Sequence, residues 1–154
     1  MTDATAYRSM TATTLQTAAT VVAGTFLLVG VLGFIPGITT DYDSMTFAGH
    51  ESNAQLLGIF QVSILHNIVH LLFGIAGLVL ATSWNGARAY LIGGGAIYLV
   101  LWIYGLVIDQ QSTANFVPLN DADNWLHLVL GAGMIGIGLA LGRTPRAGDR
   151  PGPL

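Results

Sequence analysis

Four blocks of apolar residues, separated by shorter stretches where Pro, Gly, Asn, Asp and Ser collect, make up most of this chain. The first covers residues 17–35 and stops at Pro36-Gly37, close to the ~20 residues that a spanning helix needs. Arg8 precedes it and no small-residue cleavage site follows, so it is expected to remain as an anchor rather than leave as a signal peptide. The second block, 52–81, exceeds what a bilayer requires. Its first part mixes Asn53, Gln55 and Gln61 with Leu56, Leu57, Ile59 and Phe60, which predicts an amphipathic lead into a membrane core at 62–81. The third block spans 89–108 and the fourth 125–142. Between them, 82–88 carries the turn signal Asn85-Gly86, and 109–124 holds Pro118 and an Asn-Asp-Ala-Asp run suited to capping a helix start. The predicted fold is all-α: a four-helix transmembrane bundle over 17–142, preceded by a short lead at 1–16 and followed by a proline-bearing disordered tail at 143–154.

Composition supports a bilayer and removes several alternatives. Only 8% of residues are charged, against about 25% in soluble domains, and 53% are hydrophobic. The absence of cysteine excludes disulfides, dithiol chemistry and Cys-ligated zinc or iron–sulfur clusters. A net charge of −3 with no basic patch excludes nucleic acid as a partner, leaving the lipid bilayer and other membrane proteins.

Charge placement predicts orientation. Arg8, Arg88, Arg143, Arg146 and Arg150 all fall before the first helix, between helices 2 and 3, or after helix 4. The positive-inside rule makes those segments cytoplasmic, both termini included. Asp41, Asp43, Glu51, Asp109, Asp121 and Asp123 gather in the opposite loops, where no arginine or lysine occurs.

The chain also repeats itself. Asn67-Ile-Val-His70-Leu-Leu-Phe-Gly74 matches Asn124-Trp-Leu-His127-Leu-Val-Leu-Gly131, and Phe34-Ile-Pro36 is echoed by Phe116-Val-Pro118. Two helical hairpins of the same orientation, related by an axis along the membrane normal, would produce this pattern. At 100° per residue, Ser63, His66, Asn67, His70, Gly74 and Gly77 share one face of helix 2. Asn124, His127, Gly131, Gly138 and Gly142 share one face of helix 4. Lipid offers no hydrogen bonds, so both faces must look into the bundle, where glycines admit close backbone approach. Gly30, Gly33, Gly93, Gly94, Gly95 and Gly105 supply the same contact from helices 1 and 3, and Trp84, Tyr90, Trp125 and Tyr42 are expected as interface anchors.

The histidines are where chemistry would sit, because ionisable groups are costly at membrane depth. Counting from Ala81 and Gly142 puts His66 level with His127, about a turn inside the external boundary, and His70 about a turn deeper. His66 and His127, with His70 beside them, are candidate cofactor ligands for a bis-histidine haem, with Asn67 and Asn124 as supporting partners. His66, His70, His127 and Asp109 form an alternative divalent metal set. Tyr104 lies a turn or two below Asp109, and His50 is placed to fold over the mouth. The Glu of a zinc-protease motif is missing beside the His66/His70 pair, and Gly93–Gly95 lacks the lysine of a phosphate loop. The ordinary alternative is structural: histidines that bond a carbonyl, Asn or Tyr and fix helix register.

Segments 30–38, 60–74 and 115–127 closely resemble a family of small four-helix membrane proteins, found largely in actinobacteria and catalogued as a domain of unknown function. The resemblance covers about 17–142 and implies an integral plasma-membrane protein of this topology; it carries no activity, substrate or catalytic residue. The chain is more loosely similar to DoxX-like proteins, in architecture alone. The sequence thus points to a multi-pass plasma-membrane protein with a histidine-lined polar core in its outer half, an accessory or assembly component rather than an enzyme. The alternatives are a haem- or metal-binding redox protein and a proton or small-solute pathway.

The orientation is directly checkable because the chain has no native cysteine. An impermeant maleimide should label Asp43→Cys on intact cells and Arg88→Cys only after permeabilisation; labelling of Arg88→Cys from outside would reverse the topology.

Overall fold

The computed structural model describes residues 13–143; the expected lead at 1–16 and tail at 143–154 lie almost wholly outside them. Four helices dominate: α1 Thr14–Leu32, α2 Ile64–Ala81, α3 Trp84–Val107 and α4 Asp121–Leu141. Each is long and apolar enough to cross a membrane. Each begins at a side-chain cap, which satisfies amide groups that a helix start leaves unbonded. Thr13 and Gln16 form a capping box for α1, and Asn120 and Asp123 form one for α4. Ser63 and Ser83 cap α2 and α3. The Ser83 cap explains why α3 starts earlier than the apolar block: Asn85-Gly86 is not a loop turn but part of the first helical turn, its Gly86 amide bonded to Ser83 Oγ at 3.1 Å.

The amphipathic lead expected at 52–61 is instead part of a small antiparallel sheet of order β1-β2-β3, with β1 Thr39–Thr40, β2 Gln55–Leu56 and β3 Phe60–Gln61. Leu57 and Gly58 take positive φ angles of 55° and 69°, which a right-handed helix cannot hold, and they turn the chain from β2 to β3. The buried Ser52 Oγ donates to the Val62 carbonyl at 2.6 Å and closes the base of this hairpin. Ala54, Leu56 and Val62 then pack on Val29 and Leu32 of α1.

Close contacts between helices run through glycine, and they repeat. On α1, a Cβ at Gly33 would strike the Asn67 amide; on α3, one at Gly105 would strike the Asn124 amide. One turn or two deeper, Gly74 lies against Ala23 and Leu27, and Gly131 lies against Gly95 and Leu99. Ala23, Leu27 and Gly33 are spaced along α1 as Gly95, Leu99 and Gly105 are along α3. The two hairpins therefore share one packing register, so the short sequence match extends to helices that show no obvious similarity. Gly93, by contrast, has open space around it and takes no part in packing.

All the predicted inward positions on α2 and α4 are buried or half-buried, while Val21, Leu28, Leu72, Val79, Val100 and Val129 stand exposed. An apolar exterior around a partly polar interior is what lipid requires. Tyr90 departs from expectation: it is not an interface anchor but a buried core residue, 4% exposed, lying over Gly77.

Gly74→Leu and Gly131→Leu should each lower stability by about 1–3 kcal/mol or more, since the added Cβ meets a backbone carbonyl, of Ala23 or Gly95, at 2.9 Å. Gly133→Ala, which meets nothing within 4 Å, serves as the neutral control. Thermal unfolding in detergent decides; equal melting temperatures for all three would disprove the packing.

Candidate functional site

The end of the bundle where α2 and α4 begin is closed by two segments, 33–63 and 108–120, which are stitched together. The Gly49 amide bonds the Phe116 carbonyl at 2.8 Å, and Asn120 Nδ2 bonds the Ile59 carbonyl at 2.8 Å. Buried Asn115 shapes the second segment from within, donating to the Gln110 and Leu119 carbonyls and accepting from the Leu119 amide. This places the Pro118 carbonyl over the mouth of the bundle.

Beneath that roof lie the three helical histidines. His66 Nδ1 is 3.1 Å from the Pro118 carbonyl, and His70 Nδ1 is 3.0 Å from the His66 carbonyl. A carbonyl only accepts, so each Nδ1 carries the proton, and a neutral ring then keeps its lone pair on Nε2. The two rings stack with centroids 4.5 Å apart. His127 approaches from α4, edge-on to Tyr98 at 5.2 Å, and its buried Nδ1 has no hydrogen-bond partner among the described residues. His70 rests on Phe26 at 5.6 Å. The register of the two hairpins makes Phe26 the counterpart of Tyr98 and His70 the counterpart of His127. By position in the repeat, His70 and not His66 is the partner of His127; α4, at 21 residues, is longer than α2, at 18, so counting from the helix ends pairs different residues.

Two cavities, of about 130 and 120 Å³, share a wall made of His66, His70, Tyr98 and His127. The first is completed by Val69, Leu101, Tyr104 and the 116–119 segment. The second is completed by Val29, Leu32, Leu126, Leu130, Asp123 and residues of the sheet. Val29 and Leu32 occupy on α1 the places of Leu101 and Tyr104 on α3, and Leu126 on α4 the place of Val69 on α2. The cavities therefore occupy corresponding places between the hairpins, one between α2 and α3 and one between α1 and α4. Their main chemical difference is Asp123, which stands where His66 stands in the other repeat: each is the residue before the buried Asn and is held at its amide by the N-cap. Asp123 is 3% exposed, and its Oδ2 accepts from the Gln61 amide at 2.9 Å and the Asn120 amide at 3.0 Å.

Sequence reasoning brought His66, His70 and His127 to one place, and the structure does the same. Asp109 does not join them. It is exposed and bonds the Gln111 amide in its own loop, and among the described residues no three His, Asp or Glu side chains are grouped to hold a metal ion. The cavities beside the histidines, at about 130 and 120 Å³, are smaller than the 300–1,000 Å³ typical of sites for larger ligands. Asn67 and Asn124 do not support the rings: Asn67 packs on Gly33 and reaches Met45 Sδ at 3.9 Å, and Asn124 Oδ1 lies unbonded over Gly105. Tyr104 lines the first cavity and donates to the Ala114 carbonyl at 2.5 Å. His50 is half-buried, and its carbonyl takes a bond from Gln61 Nε2. Asp123 and Tyr98 were missed. Aligning the repeats residue by residue would have put Asp123 opposite His66, but Tyr98 has no local signal in an apolar helix.

No curated protein and no solved structure matches this chain. A family model does, over residues 16–140. Four membrane-spanning helices, two repeated hairpins and a histidine wall are thus features of a member of the domain of unknown function family DUF4383, to which this chain belongs.

Proposed function

We propose that the protein is an accessory component of the plasma membrane, with both termini cytoplasmic, that holds a small hydrogen-bonding solute against the histidines in the outer half of its bundle. The observation carrying this is the pair of corresponding cavities on one wall of His66, His70, Tyr98 and His127. A polar wall inside a membrane protein has a cost, since each unbonded polar atom there lacks the water that would satisfy it. With their Nδ1 protons directed at carbonyls, His66 and His70 each keep an Nε2 lone pair that a ligand beside this wall could use. At ~30 Å³ per water in the liquid, each cavity suits a ligand of a few heavy atoms.

The chain has four histidines, so ¹⁵N-histidine labelling in detergent gives a readable spectrum. Urea or acetamide should shift the signals of His66, His70 and His127 saturably and leave His50 in place, whereas xenon, an apolar probe of similar size, should not reproduce the pattern. No response to any polar solute, or a Soret band with stoichiometric haem in the purified protein, would overturn the proposal.

A further inference from the structure

The two cavities are similar in volume and in the helix positions that line them but not in charge, and the difference points to a ligand class. In the cavity between α1 and α4, the polar groups are the Asp123 carboxyl, His66, His70, His127 and Tyr98. His66 and His70 have spent their Nδ1 protons on carbonyls, so toward a ligand they can only accept in the neutral form. His127 is 8% exposed, and its buried Nδ1 has no hydrogen-bond partner among the described residues. A carboxyl group adds further acceptors and the one formal negative charge available to this wall. No basic side chain answers it: among the described residues the only arginines are Arg88 and Arg143, and Arg88 lies against Gly142 at the opposite end of the bundle. A buried carboxyl either takes up a proton or is met by partners; Asp123 Oδ2 already accepts two amides, and a cation in the cavity would favour its ionised form. The mouth is biased the same way, with Asp41, Asp43, Glu51, Asp109 and Asp121 all exposed around it, a field that concentrates cations.

Resting on the proposal that the histidine wall holds a small solute, we propose that the Asp123 cavity is a binding site for an ammonium group: ammonium itself, a small primary amine, or the amino group of a lipid headgroup. Such a group brings up to four N–H donors and one positive charge to a wall made mainly of acceptors. Tyr98, and Phe60 from the sheet, also line this cavity, and aromatic rings are favourable neighbours for a cation. At about 120 Å³ the cavity admits methylammonium with a few waters, and quaternary ions have no N–H to give its acceptors. The cavity between α2 and α3 shares the histidines and lacks the carboxylate, so it binds ammonium weakly.

Thermal unfolding of the detergent-purified protein, followed through its three tryptophans, tests this. Methylammonium chloride should raise the melting temperature saturably, by about 5 °C at roughly a hundredfold excess over Kd, at fixed ionic strength. Sodium and tetramethylammonium chlorides should not. Asp123→Asn, which keeps an acceptor oxygen for the capping amide and loses the charge, should abolish the shift. Leu126→Phe, which fills this cavity, should abolish it too, while the equivalent Val69→Phe in the other cavity should leave it intact. Added phosphatidylethanolamine competing with methylammonium, where phosphatidylcholine does not, would name the lipid as the source; competition by neither would name the free amine. An equal response to sodium or tetramethylammonium, or a methylammonium shift that survives both Asp123→Asn and Leu126→Phe, overturns the ammonium site. If urea and acetamide still move the histidine signals in that case, the small-solute proposal stands without it; if they do not, both fall.

Discussion

The absence of hydrogen-bond partners in lipid is the constraint from which the rest of this structure follows. A helix in that solvent turns its polar side chains toward other helices, and they must find bonds or cavities there. In α2 and α4 this collects Asn and His on the same faces as Gly, because both kinds of residue belong where helices meet. The glycines bring backbones into contact, and at the loop end they leave room for the side chains of Asn67 and Asn124. The cavities lie below the roof and above the tight glycine contacts.

Duplication gives this arrangement its form. Because Ala23, Leu27 and Gly33 recur in register as Gly95, Leu99 and Gly105, each hairpin brings a histidine to the same depth and an aromatic ring to the same side of it. Two hairpins packed in one register then share a wall, with one cavity on either side of it. The loops need not repeat, and they do not: one is a three-stranded sheet and the other an Asn115-clamped turn. Both nevertheless reach the mouth, the first through the Gln61 amide on Asp123 and the second through the Pro118 carbonyl on His66.

The four helices, their inward faces and the meeting of His66, His70 and His127 were legible in the sequence, since each rests on a strong local signal: apolar length, a 3.6-residue period, or the cost of a polar group at depth. The segment 52–61 was not. Its strands are two residues each, too short for alternation to outweigh a helical pattern, and the turn depends on Leu57 adopting a positive φ that nothing in its side chain announces. Asp109 was assigned to the site from its height along α3, but α3 ends at Val107 and releases it into the loop. Asp123 was legible only as a helix cap. Its second role needed the packing register, because position along the chain counts it among the acidic loop residues.

The divergence between the repeats is therefore the informative part of the site. A protein that needed only two registered hairpins would keep the same residue before Asn67 and before Asn124, yet one repeat has His66 there and the other Asp123. Both are buried, and each is tied by hydrogen bonds to the opposite half of the molecule, His66 to the 108–120 segment and Asp123 to the β-sheet. Replacing an imidazole by a carboxyl at an equivalent buried place preserves the cross-link between halves and changes the charge that the adjoining cavity can present. The same holds for Phe26 and Tyr98, where one repeat gains a hydroxyl beside His127. Packing alone gives no reason for either change. Both fall on the walls of the cavities, and together they concentrate the chemical asymmetry of the bundle at the place where a bound molecule would meet it.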